Sequence, residues 1–156
     1  ISKFKTTSLK ESNHDQTFPI RYLAMERSGG EARPFPLNEN FKYITTLFFL
    51  ENISTNDRLN SFLACLRVLN VVSSDAKELP KSIGKLSHLR YLDSSNTPME
   101  TLPDSLCKLY SLQTLRVRNC KSLTKFPNNF KNLVNLRHFD FFSKDKSSDL
   151  MPLEIE

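Results

Sequence analysis

Glycine is scarce: Gly29, Gly30 and Gly84 are the only three in 156 residues. A phosphate-cradling loop of the form G-x-x-x-x-G-K-S/T needs glycines so that backbone N–H groups can close on the phosphates. No such string occurs, so the chain is expected neither to bind nor to hydrolyse ATP. No apolar run approaches the roughly 20 residues of a membrane-spanning helix. Cysteine is sparse too. Cys65, Cys107 and Cys120 are odd in number and not spaced as metal ligands, which reads as reduced, buried thiols of an intracellular protein. The histidines, His14, His88 and His138, fall in unrelated positions, and no Cys–His or Ser–His–Asp set recurs. Neither a metal site nor an enzyme is expected. No charge sign dominates: 22 Lys and Arg against 17 Asp and Glu leave +5, spread along the chain. That balance reads as a solvated surface, then as contact with an acidic protein, and nucleic acid is not an expected partner because no reader motif is present. Asn52-Ile53-Ser54 matches the glycosylation tripeptide, which alone is a weak pointer to secretion.

What the chain has is a period. An Ile or Leu opens the same pattern at Ile20, Ile44, Leu66, Leu89, Leu112 and Leu136, at intervals of 24, 22, 23, 23 and 24 residues. Three residues on stand Leu23, Leu47, Leu69, Leu92, Leu115 and Phe139, and two further Met25, Phe49, Val71, Ser94, Val117 and Phe141. An L-x-x-L-x-L head at such a period is the signature of a leucine-rich repeat. The fold class expected is therefore α/β: a solenoid with a curved parallel β-sheet on the concave face and short helical or irregular turns on the convex face. The hydrophobic content of 38% suits it, because each repeat buries one side of its strand. At about 4.8 Å per strand, six heads span about 24 Å. Ser94 takes an inward slot where a Leu would bury roughly 1.5–3 kcal/mol of side chain.

After each head a polar residue, Asn52, Ser74, Thr97 or Cys120, is expected to turn inward and bond the backbone of the turn. The return follows as Leu79-Pro80-Lys81-Ser82-Ile83, Leu102-Pro103-Asp104-Ser105-Leu106 and Phe126-Pro127-Asn128-Asn129-Phe130. Proline ends the strand, and Ser82, Ser105 and Asn129 are placed to cap one helical turn. Residues 1–19 carry no repeat and read as a linker or N-terminal capping segment, with the repeats covering 20–156. Leu150-Met151-Pro152-Leu153-Glu154-Ile155 has the phase of another return, so the expectation is a repeat array truncated at its C-terminus.

The strings Leu-Pro-Lys-Ser-Ile-Gly-Lys-Leu at 79–86, Leu-Arg-Tyr-Leu-Asp at 89–93 and Leu-Cys-Lys-Leu-Tyr-Ser-Leu-Gln-Thr-Leu at 106–115 are more specific than the generic repeat. So are Asn-Cys-Lys-Ser-Leu at 119–123 and Asn-Leu-Arg-His-Phe at 135–139. Together they resemble the first repeats of plant intracellular immune receptors, the nucleotide-binding leucine-rich-repeat (NLR) disease-resistance proteins. The likeness is nearest to the class with a coiled-coil N-terminus. The resemblance implies a segment that recognises a pathogen effector or a guarded host protein and holds the receptor's own nucleotide-binding domain inactive in cis. It implies a cytoplasmic protein, with the nucleus as a second compartment. No cofactor belongs to this segment; ATP or ADP is expected only in the separate nucleotide-binding domain.

Alternation turns the residues between the leucines outward, in columns across the sheet. The second position reads Arg21, Thr45, Arg67, Arg90, Gln113, Arg137; the third Tyr22, Thr46, Val68, Tyr91, Thr114, His138; the fifth Ala24, Phe48, Asn70, Asp93, Arg116, Asp140. The seventh contributes Arg118. Arg and Tyr are the types enriched at interface hot spots, and a guanidinium column can pair with carboxylates. The expected partner-binding residues are Arg67, Arg90, Tyr91, Asp93, Arg116, Arg118, Arg137 and His138. The competing reading is that these arginines are solvated or neutralise ladder neighbours such as Asp93 and Asp140. Three rival functions remain: a Ras-interacting type of intracellular scaffold, the substrate-recruiting part of an F-box ubiquitin ligase, and a receptor-kinase ectodomain. The last needs paired cysteine caps, which are missing.

Overall fold

The leucine heads form strands because alternate side chains can be buried on one side only if the backbone is extended. In the computed structural model, which describes residues 21–25, 43–49, 64–72 and 74–141, six short strands follow one another. They are β1 (Tyr22–Met25), β2 (Thr46–Phe49), β3 (Val68–Asn70), β4 (Tyr91–Asp93), β5 (Thr114–Arg116) and β6 (His138–Asp140). They form one parallel sheet in sequence order. The register aligns Leu23, Leu47, Leu69, Leu92, Leu115 and Phe139 in one row, the same row that the repeat period defines.

Backbone bonds run across the sheet one residue ahead of the strands. Arg67 N–H donates to the Thr45 carbonyl, Arg90 N–H to Arg67, Gln113 N–H to Arg90 and Arg137 N–H to Gln113, at 2.8–2.9 Å. The second-position residues are thus tied to one another by main chain. Behind the sheet lies the core: Ile44, Leu47, Leu66, Leu89, Leu92, Leu112 and Leu115 are fully buried. Ser94 is buried as well, its N–H bonded to the Arg116 carbonyl at 2.9 Å and its hydroxyl only at 3.5 Å from the same oxygen. In the last repeats phenylalanines replace leucines; Phe126 meets Phe130, Phe139 and Phe141, and Phe130 meets Phe139, edge to face with centroids 5.2–5.6 Å apart, while Phe139 and Phe141 stack in parallel at 6.2 Å.

The returns are 3-10 turns at Lys81–Lys85, Asp104–Lys108 and Phe130–Asn132. They bury Ile83 and Leu86, Leu106 and Leu109, Phe130 and Leu133 against the sheet, as the pattern predicts. The capping expectation fails. None of the three turns has a side-chain cap bond: Asn129 holds the cap position of the third without one, and the residue before the first two is Pro80 or Pro103. Proline's fixed φ starts the turn, and its carbonyl takes the N–H three residues on: Ile83 to Pro80 and Leu106 to Pro103, both at 2.9 Å. Ser82 and Ser105 therefore lie inside the turns, two residues too late to cap them, and the buried Ser105 hydroxyl has no partner among the described residues.

Thr97 and Cys120 do turn inward. Thr97 Oγ1 donates to the Ser94 carbonyl at 2.8 Å, Cys120 Sγ reaches the same oxygen at 3.2 Å, and the two side-chain atoms are 3.5 Å apart. Ser74 occupies the slot without making its bond, for its buried hydroxyl has no partner. Asn52 lies outside the described residues, as do 1–20 and 142–156 with the expected capping segment and last return. The thiols divide: Cys107 and Cys120 are buried, but Cys65 is exposed, in the turn just before the Leu66 head.

Candidate protein-binding face

Each repeat presents its second, third and fifth residues on the side of the sheet away from the core. The structure places seven of the eight expected partner-binding residues there and Arg118 in the turn just after β5, and it divides the eight into two sets. Arg67, Arg90 and Arg137 are exposed, and among the described residues their guanidinium groups have no hydrogen-bond or ion-pair partner. His138, next to Arg137 at the start of β6, is exposed as well.

The other four belong to a closed network across β4, β5 and β6. Arg116 Nη1 donates to the Tyr91 hydroxyl oxygen at 3.3 Å and lies 3.4 Å from Asp93 Oδ2. Its Nε donates to Asp140 Oδ2 at 3.2 Å. Tyr91 donates its own hydroxyl proton to Asp93 Oδ2 at 3.1 Å. Arg118 Nε binds the other oxygen of Asp140 at 2.7 Å. The Tyr91 hydroxyl and the Asp93 charge hold Arg116 protonated, raising its pKa above an already basic value. Two arginines face two aspartates, so the cluster carries no net charge.

Asp93 was expected to meet a partner; instead it is only 4% exposed. Its Oδ1 accepts the Ser95 N–H at 3.0 Å, while Oδ2 takes Tyr91 and Arg116. The fifth position does point outward, but the longer Tyr91 and Arg116 side chains close over the short carboxylate. Position along the strand reports direction, and the size of the neighbours decides exposure.

Two features lie outside the expected partner-binding set. Asn96 and Asn119 have positive φ, 57° and 55°, the left-handed conformation that Asn tolerates better than most residues. Asn119 Nδ2 donates to Asn96 Oδ1 at 3.0 Å, forming a rung at the C-terminal side of the sheet. The signal available was an Asn immediately before both Thr97 and Cys120. The second feature is the aromatic surface of the first strands: Tyr22 is 64% exposed, and Phe48 is exposed too. Among the described residues no group of His, Cys, Asp and Glu could hold a metal ion, and no helix is long and apolar enough to cross a membrane.

A family model described as a leucine-rich repeat region matches residues 21–154. Among curated proteins, disease resistance RPP13-like protein 1 of Arabidopsis thaliana is 43% identical over 107 residues, covering 61% of this chain and 10% of that protein. Disease resistance protein RFL1, also of Arabidopsis thaliana, is 30% identical over 151 residues, covering 74% of this chain and 17% of that protein. The chain thus corresponds to a small part of the relatives it matches. Among solved structures, a leucine-rich-repeat protein of Leptospira interrogans superposes with a TM-score of 0.58 at 25% identity, over 67% of this chain and 28% of that one. By repeat, register and likeness, the chain belongs to the leucine-rich-repeat family, and its repeats are of the plant disease-resistance (NLR) type.

Proposed function

We propose that this chain is a protein-recognition and autoinhibitory segment of an intracellular plant immune receptor of the coiled-coil class, working in the cytoplasm. In this reading the sheet face docks on the receptor's own nucleotide-binding domain and releases it when a pathogen effector or a guarded host protein is sensed. The observation that carries it is the pair Arg67 and Arg90. They stand side by side immediately before the adjacent strands β3 and β4, exposed, with no ion-pair partner among the described residues. Two like charges on neighbouring repeats repel each other, and an acidic partner surface relieves that repulsion. The neutral Arg116–Asp93–Asp140–Arg118 cluster offers no such net attraction.

The test is reversal of both charges, Arg67→Glu with Arg90→Glu, in the whole receptor. Association with the nucleotide-binding domain should weaken, and signalling should begin without a pathogen. Unchanged association and unchanged basal signalling in a folded variant remove the arginine pair from the mechanism.

A further inference from the structure

The network around Tyr91 holds its ring in place. Both hydrogen-bonding roles of its hydroxyl are filled, as donor to Asp93 and as acceptor from Arg116. The hydroxyl reaches a residue two places along its own strand, so the ring lies along β4. In the register it sits between Val68 of β3 and Thr114 of β5. Tyr91 remains half-buried, not covered. Immediately before it in the chain is Arg90, and before Val68 is Arg67, the two exposed cations without a side-chain partner among the described residues. A restrained aromatic surface therefore adjoins a pair of exposed guanidinium groups.

We propose that Tyr91, Val68, Arg67 and Arg90 form a subsite for a partner segment in which an acidic residue is next to an apolar one. The carboxylate sits at the arginine pair and the apolar side chain lies on the Tyr91 ring. Arg116 is a positioning residue: it acts through Tyr91 and does not touch the partner. The assignment rests on the docking reading above and adds the chemistry of what docks. Charge complementarity supplies the direction of approach, and a ring already held in place loses little freedom when it is covered.

The probes are three short peptides titrated onto the whole chain: acetyl-Glu-Phe-Glu-Phe-Glu-amide, its Lys-for-Glu analogue and its Ser-for-Phe analogue. The first should bind at least about tenfold more tightly than either analogue, as for a pocket needing both features. Arg67→Gln and Tyr91→Ser should each remove most of that binding. Tyr91→Phe and Arg116→Met should each weaken it several-fold, and the double variant no more than either alone, because both free the same ring. Thermal melts of the exposed-site variant Arg67→Gln and of Tyr91→Phe separate these effects from unfolding. No selective binding of the first peptide, or binding unaffected by Tyr91→Ser and Arg67→Gln, overturns the subsite. Additive losses in the double variant overturn the positioning role. Neither result touches receptor docking, which is judged by association and basal signalling in the charge-reversed receptor.

Discussion

Gly84 lies against Ser105 of the next return so closely that a methyl group added to it would stand 2.5 Å from the Ser105 carbonyl oxygen. The neighbour is backbone, which cannot rotate away. Gly84→Ala should therefore force the two 3-10 turns apart and cost about 1–3 kcal/mol, the usual range for overpacking. A urea denaturation midpoint equal to that of the unmodified protein would contradict this packing.

Arg116 and Arg118 both pair with Asp140, yet their removal should differ. Arg116 also stands beside the buried Asp93 carboxylate, whereas the Arg118 side chain is 52% exposed and, among the described residues, pairs only with Asp140. Arg116→Met leaves a nearly buried charge without its cation and should cost roughly 1–3 kcal/mol. Arg118→Met should change stability by less than about 1 kcal/mol, as exposed pairs do. Denaturant titration of the two variants side by side decides the matter; equal losses would refute the distinction.

The Ser94 carbonyl accepts from both Thr97 and Cys120. Thr97→Val keeps the volume and removes the stronger donor, leaving a weak thiol bond in its place. The expected loss is about 1 kcal/mol. Hydrogen exchange should also quicken at the Asn96 and Asn119 turn, and unchanged protection there would show that Cys120 suffices.

Burial, with the Asp104 charge adding to it, raises the Cys107 pKa above its ordinary value. In the unfolded chain the thiol ionises near an ordinary pKa of about 8.5. Below that pH both states hold the proton and the contribution to stability is complete. As pH rises from there toward the raised folded value, the unfolded chain alone releases its proton and stability falls. The protein should lose more stability between neutral and alkaline pH than Cys107→Ala does. In the folded protein iodoacetamide should modify Cys65 well before Cys107, since Cys65 is exposed. Simultaneous labelling would exclude the packed return.

The rows of the sheet were legible because burial imposes them: a one-residue slip would turn Leu69, Leu92 and Leu115 to solvent. Even Ser94, which breaks the apolar pattern, keeps its inward place because the backbone has no other path. The serine caps were misread because serine's preference for helix starts is statistical, while Pro80 and Pro103 set the turn by covalent geometry two positions earlier. Exposure on the face was the least legible property. Asp93 and Arg67 look alike as outward polar residues, and only the reach of Tyr91 and Arg116 across strands separates a covered carboxylate from an open cation. The same reach explains why Arg116 and Arg118 could be placed on the face from their column, while their neutralisation needed coordinates.

The one-to-one register has a consequence at the level of the gene. Every strand meets the next at the same rung, so a recombination that removes the whole period from Leu89 to Ser111 sets β5 against β3 with Leu115 opposite Leu69. The buried row is undisturbed. On the other side everything changes: Tyr91 and Asp93 vanish, and Arg116 finds Asn70 where a carboxylate had been. Unequal crossing-over in steps of one period can thus rewrite what the surface recognises while leaving the interior intact, whereas a shift of one codon's worth of chain within a head destroys both.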